Sequence, residues 1–237
     1  MKNELINKTA RELGINTGRF KTGYFNAITD VKGIKVGHVT HIQNNVEVPE
    51  TNEKSCVRSG VTAIDPGFGN NYPRRFVAGG FILNGIGEVT GLTQVMEWGW
   101  LETPILLTNT MSIGTVHKGI IKYMRQKYPE VNKNNEIIIP IIGETDDSYL
   151  NDVRILSIKT EDVSQALKNA QKGFVKQGSI GAGTGMTTFD FAGGIGSSSR
   201  ILPEDKGGYT IGVLVLSNVG NMINLTIDGN VIGRKLD

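Results

Sequence analysis

Short apolar runs bounded by glycine, proline and asparagine predict a series of β-strands along this chain. The runs occupy residues 33–39, 57–64, 76–83, 104–108, 137–142, 209–217 and 223–227. Pro140 lies inside the fifth run and cannot donate to a strand ladder, which favours an edge strand or a bulge there.

Apolar residues at helical spacing predict three helices. Residues 88–101 and 113–128 each place their apolar side chains on one side of a helix. A third helix is expected to begin at Thr160, a good N-cap followed by two acids that suit the helix dipole, and to continue to Phe174. The mixture of strands and helices, without a dividing linker, predicts one layered α/β domain over residues 1–237, with a polar arm and short helix at 1–24.

Composition excludes several classes of function. The chain has 237 residues, a net charge of +2 and scattered Lys and Arg, so neither nucleic acid nor a membrane surface is expected as its main partner. Its longest apolar run is too short to cross a bilayer. A single cysteine and the lack of a signal-peptide core favour a cytoplasmic location. The 31 glycines indicate many tight turns or close backbone approaches.

Residues 179–200, SIGAGTGMTTFDFAGGIGSSSR, are the most unusual stretch. They lack the Gly-Lys-Ser/Thr of a P-loop, and Met186 stands where a dinucleotide fingerprint needs its last glycine. Two interpretations remain: a glycine-rich connection between a helix and a strand, or a backbone wall pressed against a substrate or another chain.

Acidic and amide side chains collect where apolar strands end. Glu144, Asp146, Asp147 and Asp152 follow the strand at 137–142 and form either a solvated loop with turn chemistry or a site for an ammonium group. Asn218 follows the strand at 209–217, and its amide can cap a turn or donate to an oxyanion.

No complete catalytic centre or metal site can be assembled from the sequence. The three histidines have no evident serine partner and no metal-binding spacing. Cys56 is expected to be a small buried side chain. Asn84, Glu88, Asn109 and Ser112 are expected to form turns.

Seven stretches together resemble one family. FNAITDVKGIKVGHVT, RSGVTAI, LNGIGEVTG, TNTMSIG, GETDDSYLND, the glycine-rich segment and VLVLSNVG occur in the order found in the L-aminopeptidase/D-esterase family, which includes the β-aminopeptidases. The resemblance extends from about Arg11 to Arg234 and is therefore more specific than any one motif.

The resemblance implies a four-layer α/β/β/α sandwich similar to N-terminal-nucleophile hydrolases. It also implies a precursor that cleaves itself before a Ser or Thr, which becomes the nucleophile of a β chain. On that basis we expect this chain to be the α chain, completed by a separate β chain. We expect such αβ units to form larger oligomers, with no cofactor and no metal.

The family's site residues transfer to three positions of this sequence. Asn218 matches the amide of the oxyanion hole, and Glu144 matches the acid that receives the substrate's free amine. Asp146 matches a pocket position where aromatic or aliphatic residues are familiar. Asp is a departure that is expected to favour basic or small polar N-terminal residues.

The expected activity is removal of N-terminal residues from short peptides, amino-acid amides or esters. Three alternatives remain: hydrolysis of non-peptide amide oligomers, ornithine acetyltransfer by a related fold, and a non-enzymatic module that binds small molecules. The preferred residue and its α or β backbone are left open by the sequence.

Overall fold

The computed structural model describes residues 9–69, 75–131, 133 and 137–236. Its strands are β1 (Lys35–Glu47), β2 (Lys54–Asp65), β3 (Phe76–Val77), β4 (Trp100–Leu101), β5 (Ile105–Asn109), β6 (Ile141–Thr145), β7 (Thr187–Thr188), β8 (Phe191–Ala192), β9 (Gly194–Ile201), β10 (Thr210–Ser217), β11 (Thr226–Ile227) and β12 (Asn230–Val231). Its helices are α1 (Leu92–Trp98), α2 (Ile113–Lys127) and α3 (Thr160–Lys168). No described helix is both long and apolar enough to cross a membrane.

The centre of the fold is a four-stranded sheet in the order β1-β2-β5-β6. The first three strands pair antiparallel, and β5 pairs parallel with β6, so that Asn109 lies opposite Thr145. Because these two strands are parallel, the segments that follow them leave the sheet at the same edge. This edge carries the candidate site.

Helices α2 and α3 cover one face of the central sheet. Val61 and Leu106 from the sheet pack in one buried cluster with Ile120 and Met124 of α2 and Val163 of α3. All five side chains are fully buried, and each such burial contributes about 1.5–3 kcal/mol to the free energy of unfolding. This cluster is the main core.

The antiparallel pair of β9 and β10 covers the other face of the central sheet. Leu107 of β5 belongs to a second apolar cluster with Ile195 of β9 and Leu214 and Leu216 of β10. Neighbouring residues Leu106 and Leu107 thus enter opposite cores, as expected for the two-residue period of a strand. The described residues therefore form three layers: helices, central sheet and a second, two-stranded sheet.

Glycines within 179–200 let the turn at residues 181–183 pack its backbone directly against both sheets. A Cβ at Gly183 would lie 2.6 Å from the Cα of Gly194 at the start of β9, and a Cβ at Gly60 of β2 would collide with the carbonyl oxygen of Gly181. Glycine is required because a side chain would push the turn away from the strand that it contacts. The stretch is thus a backbone wall, but the contacts seen here are with this chain itself.

The serines that end this stretch attach β9 to the N-terminal segment. Ser197 Oγ accepts a hydrogen bond from the Ile28 amide at 2.8 Å and donates to the Val213 carbonyl. Ser199 Oγ accepts from the Gly23 amide and donates to the Asp30 carboxylate at 2.7 Å. Their hydroxyls are engaged in structural contacts.

Several predicted boundaries were wrong, mostly at glycine and proline. The strand predicted at 76–83 ends at Val77, before Gly79 and Gly80, and helix α1 is confined between Gly91 and Gly99, both with positive φ. Strand β6 begins only after Pro140.

Other differences concern capping and composition. Helix α3 ends at Lys168 rather than Phe174, and its N-cap is Lys159, whose amide donates to Asp162. The short helix expected in the N-terminal arm is a turn at residues 10–14 in the described part, and residues 222–224 form a 3-10 turn before β11. Strand β9 was not predicted, since its glycines and serines have low strand propensity.

His38 is a partly buried imidazole next to the glycine-rich turn. Its Nδ1 lies 2.9 Å from the Thr62 hydroxyl, which also accepts a hydrogen bond from the Ala182 amide. Burial, helped by the nearby charge of Lys176, lowers the pKa of His38 to about 4. The folded protein therefore holds this imidazole neutral at pH values where an unfolded histidine is protonated.

We predict that Gly183→Ala lowers the free energy of unfolding by about 1–3 kcal/mol, because its methyl group overlaps the Gly194 backbone. The matched control is Gly196→Ala in β9, where nothing lies within 4 Å of the added methyl and φ is not positive. That control is expected to be neutral or slightly stabilising. Denaturant unfolding of both variants measures the difference, and equal stabilities would contradict the close approach.

We predict that the protein loses stability as the pH falls from about 6.5 to about 4, in part through His38. Over this range the unfolded state binds a proton that the folded state excludes, so acidification favours unfolding; below the folded pKa the loss stops. His38→Gln should flatten this part of the stability profile, whereas His41→Gln should keep the contribution of His38. A profile equally steep in His38→Gln would refute the prediction.

Candidate active site

A cleft of about 400 Å³ lies at the edge of the central sheet where β5 and β6 end. It is lined by residues from four parts of the chain: Ile86 and Gly87, Thr110 and Met111, the segment from Glu144 to Ser148 with Val153, and Asn218. The structure thus brings the three residues predicted for the site, Glu144, Asp146 and Asn218, to one cavity. Their roles remain predictions.

Neutral donors hold the Glu144 carboxylate in place. One oxygen accepts the Glu88 amide at 2.6 Å, and the other accepts the Thr110 hydroxyl. The Glu144 amide in turn donates to the Glu88 carbonyl at 3.1 Å. Since a carboxylate has about four acceptor positions, two such donors leave room for a cation from the cleft.

Asp146 contacts Asn218 through its backbone carbonyl and not through its side chain. The side chain is exposed, and one of its oxygens accepts the Ser148 amide at 2.8 Å in a local turn. Its backbone carbonyl accepts a hydrogen bond from the Asn218 side chain. The expected influence of this carboxylate on substrate preference remains a prediction.

Asn218 is oriented by a single strong contact. Its Nδ2 donates to the Asp146 carbonyl at 2.7 Å, and because a carbonyl can only accept, this contact fixes which end of the amide faces it. A side-chain amide carries two N–H groups. The second is therefore available to a ligand in the cleft.

A hairpin from the glycine-rich stretch supports the turn that carries Asn218. The Phe189 amide donates to the Val219 carbonyl at 2.8 Å, and Phe189 and Asp190 both have positive φ, which is uncommon outside glycine. A Cβ at Gly220 would lie 2.6 Å from the Phe189 ring. The hairpin therefore packs directly on the backbone next to Asn218.

Of the two interpretations of the acidic segment, the solvated loop is wrong for Asp147. Its side chain is only 1% exposed. It accepts hydrogen bonds from Ser59 at 2.6 Å, from Asn109 at 3.0 Å and from Asn151 at 3.0 Å. Burial raises its pKa, and the three hydrogen bonds oppose that rise.

Sequence reasoning missed this cluster because its members are far apart in the chain. Asn109 was expected to form a turn, yet its buried amide joins Ser59 and Asp147. The only local signal was a polar pair directly after an apolar strand, and that signal does not distinguish a buried acid from an exposed one.

The remaining acid and the other candidate residues lie outside the cleft lining. Asp152 pairs with Arg154 at 2.8 Å, which lowers the pKa of Asp152 to about 2. Cys56 is only partly buried, in contrast to the expectation, and its thiol lies 3.4 Å from the Leu150 carbonyl.

Histidines and metal ligands do not contribute to this cleft. His38 and His41 lie on β1 and His117 lies on α2, and none lines it. Within the described ranges, His, Cys, Asp and Glu side chains form no group that could hold a metal ion. The polar groups available in the cleft are therefore carboxylates, hydroxyls and an amide.

The model of peptidase family S58 matches residues 26–237. The chain belongs to peptidase family S58.

Relatives and solved structures agree with this assignment. The chain is 38% identical over 232 residues to the beta-peptidyl aminopeptidase BapA of Sphingosinicella xenopeptidilytica, covering 98% of this chain and 56% of that protein. It is also similar to the PH0078 protein of Pyrococcus horikoshii OT3, with a TM-score of 0.90, 46% identity and coverage of 97% of this chain and 64% of the other.

A third similar structure is the L-aminopeptidase D-Ala-esterase/amidase of Ochrobactrum anthropi, described as a prototype for the serine aminopeptidases and a new variant of the Ntn-hydrolase fold. It matches with a TM-score of 0.87 and 38% identity, over 96% of this chain and 62% of that chain. The α/β fold described here is therefore similar to that variant. The chain spans a little over half the length of the curated relatives it matches.

Proposed function

We propose that the complete protein that carries this chain is an aminopeptidase. It hydrolyses the bond that follows the N-terminal residue of short peptides, amino-acid amides or esters. The observation that carries the proposal is the pairing, in one cleft, of a carboxylate and an amide; among the described residues the carboxylate has only neutral donors and the amide has one N–H without a partner. The family membership and the aminopeptidase relatives support it.

The two groups suit the two ends of an N-terminal residue. The Glu144 carboxylate receives the substrate's ammonium group through charge-assisted hydrogen bonds. The free N–H of Asn218 faces the substrate carbonyl and donates to the oxygen as negative charge develops on it. Binding the ammonium places the scissile carbonyl at the amide, so recognition and catalysis are joined by a short stretch of substrate backbone.

We infer that the nucleophile lies in a β chain produced from the same precursor. The resemblance to self-cleaving enzymes supports a Ser or Thr whose own α-amine serves as base. We propose that this β chain adds a fourth, helical layer to the three described here and that αβ units associate further. A cytoplasmic location and the absence of a cofactor belong to the same proposal.

We predict that Asn218→Ala in the complete protein lowers kcat by about 100-fold or more, because an oxyanion donor acts mainly in the transition state. KM should change much less. Steady-state hydrolysis of aminoacyl p-nitroanilides measures both constants, and thermal unfolding checks that the variant is folded. A folded variant that keeps most of its kcat would show that the amide only caps its turn.

We predict that N-acetylated substrates are much poorer than substrates with a free amine, because acetylation removes the charge that Glu144 binds and leaves the carboxylate unpaired. Glu144→Gln should reduce this discrimination. The matched control is Asp152→Asn, an acid of the same loop outside the cleft lining, which should leave it unchanged. Equal rates on free and acetylated substrates with the natural protein would contradict the role of Glu144.

A further inference from the structure

Asp147 is a buried carboxylate without a cationic partner among the described residues. All three of its side-chain hydrogen bonds come from neutral groups. A buried charge in such surroundings is costly unless its hydrogen bonds are well made. Asparagine has nearly the same shape and a lower desolvation cost. An aspartate at position 147 is therefore expected to have a role that asparagine cannot fill.

The three donors tie Asp147 to two strands and to its own loop. Ser59 belongs to β2, Asn109 ends β5, and Asn151 lies in the loop after Asp147. These partners are also joined to each other and to the sheet, because Asn109 Nδ2 donates to Ser59 Oγ at 2.9 Å and Asn151 accepts the Arg58 amide at 2.9 Å. The carboxylate is the common acceptor of this network.

The glycine-rich stretch packs against the hydrogen-bond network of Asp147. A Cβ added at Gly185 would lie 2.9 Å from the Asp147 Cβ and would also collide with the Arg58 carbonyl. Because Gly185 has no side chain, the backbone of the glycine-rich stretch can pack directly against the Asp147 side chain. Since the site is packed and its hydrogen bonds are fixed, Asp147 has little freedom to move.

The same residue constrains the group that holds Asn218. The Asp146 carbonyl and the Asp147 amide nitrogen belong to one planar peptide unit, so fixing Asp147 holds one end of the plane in which that carbonyl lies. The Asp147 carbonyl, in the next peptide unit, accepts the Leu150 and Asn151 amides at 3.2 and 3.0 Å and holds the backbone of Asp147 in place. Within the Asp146–Asp147 unit, the Asp146 carbonyl accepts Asn218 Nδ2 at 2.7 Å.

We propose that Asp147 is a positioning residue whose buried hydrogen-bond network fixes the Asp146–Asp147 peptide, so that the Asp146 carbonyl aims the amide of Asn218 at the substrate. The consequence for catalysis rests on the proposed function. The coupling between Asp147 and Asn218 is a property of the structure and can be measured without turnover.

The kinetic test is a double-mutant cycle in the complete protein. Asp147→Asn replaces one acceptor oxygen by a donor, which opposes Ser59 and Asn109 in one orientation of the amide and Asn151 in the other. It should lower kcat by about 10-fold, less than Asn218→Ala does, with KM changed by less than about two-fold. In an Asn218→Ala background the same change should cost less than about two-fold, because the two residues act as one unit.

Two further variants keep this test interpretable. Ser59→Ala removes one donor and leaves the fold's backbone untouched, so it should show a smaller fall in kcat that also disappears in the Asn218→Ala background. Asp152→Asn, outside the network and the cleft lining, should leave kcat unchanged. Independent, multiplying effects of Asp147→Asn and Asn218→Ala, or an effect on KM alone, would overturn the proposal.

The second measurement does not depend on activity. The side-chain amide of Asn218 in the 15N-labelled protein is assigned by its loss in Asn218→Ala. Its chemical shifts and order parameter should change in Asp147→Asn and Ser59→Ala but not in Asp152→Asn. If the natural protein hydrolyses none of the substrates, the proposed function fails, while this measurement still decides the coupling. An unchanged Asn218 amide in folded Asp147→Asn would overturn it.

Discussion

The close backbone packing of the glycine-rich turn at residues 181–183 against both sheets is the constraint on which this structure depends. Gly60 of the central sheet meets the backbone at Gly181, and Gly183 meets Gly194 at the start of β9. Asn218 follows a strand of the second sheet and Asp146 follows a strand of the first. Their 2.7 Å contact joins the ends of the two sheets, which the turn connects because its glycines let its backbone approach both.

The same constraint determines the electrostatics of the cleft. Glu144 and Asp147 both belong to the segment that lines the cleft, but Glu144 is partly exposed, whereas Asp147 is buried and packs against Gly185. Neutral hydrogen-bond donors hold both carboxylates. Glu144 therefore keeps acceptor positions for a cation, whereas the acceptor positions of Asp147 are occupied by hydrogen bonds from the protein.

Local sequence patterns were sufficient to predict elements whose structure depends little on distant residues. Helix α2 was predicted almost to the residue, because its apolar stripe directly reflects one buried face. Strand β9 was missed because its stability comes from pairing with β10 and from serine contacts to residues 23–30, which its own composition does not show.

The positions of Glu144, Asp146 and Asn218 in one cleft followed from a family resemblance over nearly the whole chain. The Asp147 network connects Ser59, Asn109 and Asn151 across the sheet, and no local pattern predicts such a contact.

At position 146, the backbone contact with Asn218 is compatible with a side chain that departs from the family pattern. The family pattern led us to expect an aromatic or aliphatic side chain, and this protein has Asp146 instead. The interaction with Asn218 uses the backbone carbonyl, which every residue type provides, while the side chain is exposed and turns toward the Ser148 amide. A change of side chain here therefore alters what the cleft presents to the substrate without altering the group that orients the amide. Under the proposed function, the side chain of this residue acts on substrate preference and its backbone carbonyl on oxyanion stabilisation.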